Sequence, residues 1–259
     1  MSEIEKQNKE MEQVFGEHIH WGYWENPNSA NGSIEDFQNA SKALSKKLLA
    51  LANIVDGQAV LEVGCGFGGT ISLINEEFHD LKIVGVNIDQ RQIDRAKQKV
   101  FQKNGNDISF IQGDACKLPF NDNSFDIVLA VECIFHFPDR NHFFSEAYRV
   151  LKGGGQLVLS DFVLSFDFPN LFNMSLKKSG IPFYGNIQLC TCEAYESFAK
   201  ENYFEIEEIE DINESTLPTY PIVKKVFSKS KMGYLLTQVA EWTQKSKMIR
   251  YKNLAFKKI

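Results

Sequence analysis

The chain has 259 residues, a length that suits one α/β domain with an insertion or two small domains at most, and with 43% hydrophobic and 24% charged it can build a sizeable core and is too apolar for global disorder. A net charge of −6 and an isoelectric point near 5.5 argue against a general nucleic-acid binder, which needs a basic surface. No apolar run approaches the ~18 residues of a membrane span, and the opening MSEIEKQNKEMEQ lacks the apolar core of a signal peptide.

Residues 1–56 read as a polar, helical cap around an aromatic loop, His20-Trp21-Gly22-Tyr23-Trp24. A core follows over 57–162. Ala59 to Val63 is a short buried strand, and glycines then lead into an apolar-striped helix from Thr70 to Phe78. Leu81 to Val86 is the next strand, and Gln90 to Phe101 repeats Ile93, Ala96 and Val100 at helical spacing. Strands follow at Ile108 to Gln112 and Phe125 to Val131, then a helix from Asn141 to Leu151. Gly153-Gly154-Gly155 turns the chain into a strand from Gln156 to Phe162. Such alternation predicts an α/β fold, a doubly wound and mostly parallel sheet with helices on both faces.

Residues 163–190 are rich in Phe, Asn, Ser and Pro and read as a lid inserted over the strand ends, with Phe162, Phe166, Phe168, Phe172, Phe183 and Tyr184 as its aromatic content. The core resumes over 191–259, with a helix at Glu193 to Glu201, a strand at Phe204 to Ile212, a mostly helical cap over Lys224 to Gln244 and a last strand at Ile249 to Phe256. The basic residues Lys245, Lys247, Arg250, Lys252, Lys257 and Lys258 read as a solvated helix and edge strand. Five cysteines, an odd number, without a leader fit a reducing cytoplasm. Cys190 and Cys192 lack the spacing of a redox or zinc pair.

The run Leu61 to Gly69, LEVGCGFGG, sits where a strand hands over to a helix, so its backbone can approach a ligand closely. Alone it does not distinguish a dinucleotide from another nucleoside. The following strand ends add Asn87-Ile88-Asp89 with Gln92 a turn later, then Gly113-Asp114-Ala115, and Val131 at the end of the fourth. Ligands of open α/β sheets lie in the crevice beyond these carboxyl ends.

With these motifs in order, Leu61 to Phe162 resembles the core of the class I S-adenosylmethionine-dependent methyltransferases. The resemblance implies a Rossmann-like sheet of seven strands and S-adenosylmethionine as cofactor, leaving S-adenosylhomocysteine as product. It places Gly64, Gly66 and Gly68 at the methionine part, Asn87 at the ribose hydroxyls with Gln92 as a second contact, Ile88 against the adenine and Asp114 at its amino group, and counts Tyr23, Glu62, Ala115 and Val131 among the cofactor-binding residues. Many members carry an acidic residue at the Asn87 position; an amide still bonds a diol.

Methyl transfer to a hydroxyl requires in-line alignment and removal of a proton. His136, just past the fourth strand, has a suitable side chain for that base, and Asp161 at the neighbouring tip is expected to orient it or to act itself. His20 to Trp24, Glu132 to Arg140 and Ser160 to Leu164 resemble a narrower group of natural-product tailoring enzymes, the rebeccamycin-type sugar O-methyltransferases and tocopherol methyltransferases. Tyr23 and Trp24 are expected to cover the sulfonium end, and His18 and His20 to face the substrate. The acceptor expected is a small apolar or ring-containing molecule, with no nucleic acid, no metal and no membrane span; a homo-oligomer is left open. Nucleic-acid methylation lacks its Asn/Asp-Pro-Pro-aromatic run. N- or C-methylation, an inactive cofactor-binding protein and a nicotinamide dehydrogenase are the competing readings.

Overall fold

Side chains alternate across a strand, and in the computed structural model, which describes residues 13–166 and 187–259, that alternation divides the core in two. Strands β1 (Ala59–Val63), β2 (Lys82–Asn87), β3 (Asp107–Gln112), β4 (Phe125–Val131) and β5 (Leu151–Leu164) pair in parallel. After the two-residue β6 (Cys190–Thr191) come β7 (Phe204–Asp211) and β8 (Ile249–Lys258), with β8 antiparallel to both β5 and β7. The order is β3-β2-β1-β4-β5-β8-β7, with β6 beside the end of β5. Seven strands form the path the family resemblance implies.

Val60, Ile83, Ile127, Leu129 and Val158 point to one face, where α1 (Ile34–Ala52), α2 (Gly69–Glu77) and α3 (Gln90–Lys99) bring Leu44, Leu48, Ile71, Ile74 and Ile93. Leu61, Val63, Val84, Val128, Leu157 and Leu159 point to the other, covered by α4 (Arg140–Val150) and α5 (Cys192–Glu201). Helix α1 starts at Ser33, whose hydroxyl accepts from the Asp36 amide, and stops at Asn53 in the left-handed region. Asp139 caps α4 by accepting from His142 N–H at 2.9 Å.

Three expectations shift. The triple glycine does not end a turn: β5 runs from Leu151 through Gly153–Gly155, and the ladder with β4 steps from Phe125↔Leu151 to Ile127↔Gln156. The extra residues bulge out of the register. The helical stretch before β8 is broken into α6 (Asn213–Thr216), α7 (Thr219–Val226) and α8 (Lys231–Lys245), with a 3₁₀ turn at Phe227–Lys229. Of the described residues before α1, 13–15 are helical and 16–33 form turns and loop with a 3₁₀ turn at Pro27–Ser29. Most of the expected lid, including Phe168, Phe172, Phe183 and Tyr184, lies outside the described residues.

Phe144 anchors the second face. It is fully buried and meets the rings of Phe256, Phe198, Phe204 and Tyr195 at centroid distances of 5.2, 5.8, 5.9 and 6.1 Å. Phe144→Ala is expected to cost about 3–5 kcal/mol of stability, read as a lowered urea midpoint; an unchanged midpoint would remove Phe144 from this role.

Candidate functional site

Strand order reverses between β1 and β4, and their carboxyl ends open the crevice where such sheets take ligands. The loop leaving β1 carries Gly64, Gly66 and Gly68, all at positive φ. A Cβ at Gly64 would stand 2.6 Å from Cys133 Cβ, so glycine there lets β1 and β4 converge. At Gly68 it would press on Val100, Ala96 and Phe110 at 3.0–3.3 Å, so that position seats α3 and β3. Gly66 is the glycine whose free side faces the cleft, under Ile19.

The cleft over this loop is walled by Glu17–His20, Glu62, Thr70 and Val131. Glu62 is buried, with Oε2 lacking a hydrogen-bond partner. Burial raises its carboxyl to about 8, opposed by a hydrogen bond with Thr70. Thr70 Oγ1 is 3.3 Å from Ser45 Oγ, which also meets His18 Nδ1 and His20 Nε2, each at 3.1 Å. Burial depresses His18 to about 3, helped by His20 and Lys42, and His20 to about 4, against a bond to the Trp21 carbonyl. Two neutral imidazoles and two hydroxyls therefore link the N-terminal segment, α1, α2 and the acid beside the glycine loop.

This corrects the reading of the aromatic loop. Tyr23 borders a hollow of ≈ 400 Å³ against α1, under Lys47 Nζ at 5.2 Å. Trp24 stacks on Phe37 and donates to Asp36. Neither covers the glycine loop; His18, Ile19 and His20 do. The signal was present in α1, where Ser41 and Ser45 lie on the same buried face as Phe37, Leu44 and Leu48, since buried hydroxyls need partners.

Beyond β2, Asn87 Nδ2 donates to Gln92 Oε1 at 2.7 Å and its Oδ1 accepts from Asp89 N–H at 3.2 Å. Ile88 is 72% exposed, a flat apolar surface beside them. Gln92 Oε1 lies 3.9 Å from the free side of Gly66, so this pair and the glycine loop share one cleft. After β3, Asp114 is exposed and accepts from Cys116 N–H at 2.8 Å, while Ala115 is buried.

At the tip of β4 the chain turns at Glu132, whose φ of +47° is unusual for a side-chain-bearing residue. Its N–H donates to Ser160 Oγ at 3.1 Å, and its carboxylate accepts from Trp21 N–H at 2.8 Å and the Tyr251 hydroxyl at 2.6 Å. Burial lifts this carboxyl to about 8, against those two bonds. Trp21 and Tyr251 both meet the ring of Phe162 edge-on, at 5.4 and 4.7 Å, so aromatic rings line the side next to the tip of β5.

His136 ends the 3₁₀ turn Ile134–His136, exposed, with its ring 4.3 Å from Phe135. The end of the expected lid is tied to this turn: Gln188 N–H donates to the Phe135 carbonyl at 2.8 Å, and Leu189 packs with Phe135. Asp161 stands elsewhere. Its carboxylate is fully buried, accepts from the Tyr195 hydroxyl and lies 3.4 Å from Arg140, which also donates to the Gln188 carbonyl. Burial raises Asp161 to about 6, against the pull of Arg140 and Tyr195. The expectation that it orients His136 or reaches an acceptor is thus corrected; it ties α4, α5 and the Gln188 segment to β5. Among the described residues no cluster of three or more His, Cys, Asp and Glu groups could hold a metal ion, and no helix is long and apolar enough to cross a membrane.

Residues 61–159 match the methyltransferase domain family. The chain is 29% identical to 27-O-demethylrifamycin SV methyltransferase of Amycolatopsis mediterranei, over 81% of this chain and 75% of that protein. It is 32% identical to a sterol 24-C-methyltransferase of Schizosaccharomyces pombe, over 71% of this chain and 54% of that one. Its fold matches that of geranyl diphosphate C-methyltransferase from Streptomyces coelicolor, solved with S-adenosyl-L-homocysteine, with a TM-score of 0.78 at 16% identity and 98% coverage of both chains. The glycine loop at the switch point, the buried acid beside it with one open oxygen and these similarities agree: the chain belongs to the class I S-adenosylmethionine-dependent methyltransferases, enzymes methylating small molecules.

Proposed function

We propose that the chain methylates a hydroxyl group of a small apolar or ring-containing molecule, with His136 as the general base. The place of the exposed imidazole carries this reading: it follows the tip of β4, where Cys133 packs on Gly64, and lies next to Phe135, whose carbonyl holds Gln188. His18 and His20 are neutral parts of the buried hydrogen-bond network.

S-adenosylmethionine supplies a methyl group on a positively charged sulfur. Glu62 would hold the amino group of its methionine part: a buried carboxyl with an unpartnered oxygen fits an ammonium better than it fits water-free isolation. Asn87 and Gln92 would bond the ribose hydroxyls, Ile88 would support the adenine, and Asp114 would accept from its exocyclic amine, with Ala115 and Val131 as apolar wall. His136 would take the acceptor proton as the oxygen–methyl bond forms and the sulfur–methyl bond breaks, leaving a neutral thioether. Trp21 and Phe162 would exclude water on the acceptor side.

A second reading has its own support. The rings of Trp21, Phe162 and Tyr251 would stabilise a cation developing on an alkene carbon, and a sterol 24-C-methyltransferase is among the relatives. Transfer of labelled methyl to a panel of phenols, sugars, amines and prenyl compounds separates the readings: product from phenols or sugars supports the first, and product from prenyl compounds alone overturns it.

Two outcomes test the residues. His136→Ala is expected to lower kcat by about 100-fold, the range for a lost general base, with S-adenosylhomocysteine affinity unchanged; Asp161→Asn should instead lower Tm more than it lowers kcat per folded molecule. A near-normal rate in the histidine variant would move the base elsewhere. The second concerns protons. Glu62, at about 8 in the free protein, is mostly protonated at pH 7, and a cofactor ammonium would lower its pKa. Binding of S-adenosylhomocysteine should therefore release protons near pH 7, and its affinity should rise as pH approaches 8. The same raised pKa means that Glu62 withdraws stability from the ligand-free protein as pH climbs from about 4.5 to about 8, because the unfolded chain loses the proton first. Calorimetry in buffers of different ionisation enthalpy should register the release, and Glu62→Gln should abolish it. Equal proton counts in both proteins would detach Glu62 from the cofactor.

A further inference from the structure

Helix α8 turns the usual order of an amphipathic helix inside out. Gly233, Thr237 and Gln244 face inward, and Gln244 is held by polar contacts to the Tyr220 and Thr216 side chains, each at 2.7 Å. Met232, Leu235, Val239 and Trp242, at helical spacing, are 59, 53, 43 and 61% exposed. A surface helix normally buries its apolar stripe, and a contiguous exposed one marks an interaction surface.

The charge around the stripe is equally uneven. Residues 211–252 hold eight lysines and arginines and three acids in a chain whose net charge is −6; Asp211 pairs with Arg250 and Lys252, Glu214 with Lys247, and Glu241 with Lys224 and Lys245, which leaves a basic excess. Lys231, Lys245 and Lys247 are exposed at the two ends of the helix. The far end of α8 also adjoins the substrate side of the sheet, since the Met248 carbonyl accepts from Ser165 N–H at 2.9 Å, just where β5 ends.

We propose that α8 docks the protein onto an anionic lipid surface, lying in the interface with its stripe inserted and its lysines at the headgroups. Apolar side chains including a tryptophan, with a basic surround, supply the two signals that stable interfacial binding requires. Long lysine stems reach headgroups while their carbons lie against apolar groups. A second copy fits the face poorly, because a two-fold contact would set one basic patch against its twin. The proposal stands whether or not His136 is the base.

The test is flotation of the full chain with vesicles of phosphatidylcholine alone or mixed with phosphatidylglycerol, with tryptophan emission recorded alongside. The expected result is binding to the mixed vesicles, weakened by salt, with a blue shift that Trp242→Phe removes. Leu235→Glu and Val239→Glu should each lower the bound fraction's partition coefficient at least ~10-fold while leaving Tm and S-adenosylhomocysteine affinity unchanged, which shows the variants folded. Binding that these variants do not weaken, or no preference for the anionic vesicles, would overturn the proposal. A concentration-dependent dimer in vesicle-free light scattering, lost in Leu235→Glu, would also overturn it and give the face to a second copy.

Discussion

The carboxylate of Glu132 gathers three distant parts of the chain at one point. It sits at the tip of β4 on a left-handed turn, a conformation that costs a side-chain-bearing residue about 1–2 kcal/mol. Trp21 N–H from the N-terminal segment and the Tyr251 hydroxyl from β8 both donate to it, while its own amide is held by Ser160 of β5. The strain is tolerated because the surrounding groups over-determine it. This convergence, together with packing on Tyr220, sets Trp21 against Phe162.

A second polar set does similar work over the glycine loop with less charge. His18 and His20 are neutral, so joining them through Ser45 to Thr70 places hydrogen-bonding groups beside Glu62 without burying further ions. Such a network is worth more satisfied than half-made, and Glu62 Oε2 is its open end. The site thus has one fixed polar junction at β4 and one junction with a spare acceptor at β1. The Asp161–Arg140–Tyr195 group forms a third, and its burial makes it structural: removing Asp161 or Arg140 would strand the other's charge in the interior.

The sheet was legible because its strands carry short aliphatic runs between helix-period segments; Ala59–Val63 and Phe125–Val131 have the bounds that the pattern predicts. The glycine loop and the Asn87–Gln92 pair were legible for a related reason, since they are local motifs at strand ends. What local pattern could not reveal was contact between remote segments. Which of Trp21, Tyr23 and Trp24 turns toward the strand tips depends on Glu132, more than a hundred residues away. Asp161 looked accessible because strand tips open to ligands, but Tyr195 of α5 and Arg140 of α4 close over it. The triple glycine looked like a turn, yet β4 offers it a partner strand and the chain bulges instead of reversing.

The place of β8 has a bearing on how the molecule is made. It follows every other described strand in sequence, yet it lies inside the sheet between β5 and β7. A ribosome delivers the chain from the other end, so β1 to β5 can pair early while β5 keeps an open edge of unpaired amides and carbonyls. Tyr251 arrives on β8, and until then Glu132 lacks one of its two donors. The glycine loop is therefore translated well before the junction at Glu132 can be completed. A nascent chain stalled before residue 249 would hold the glycine loop beside a sticky strand edge, the stage at which it most needs protection from its neighbours.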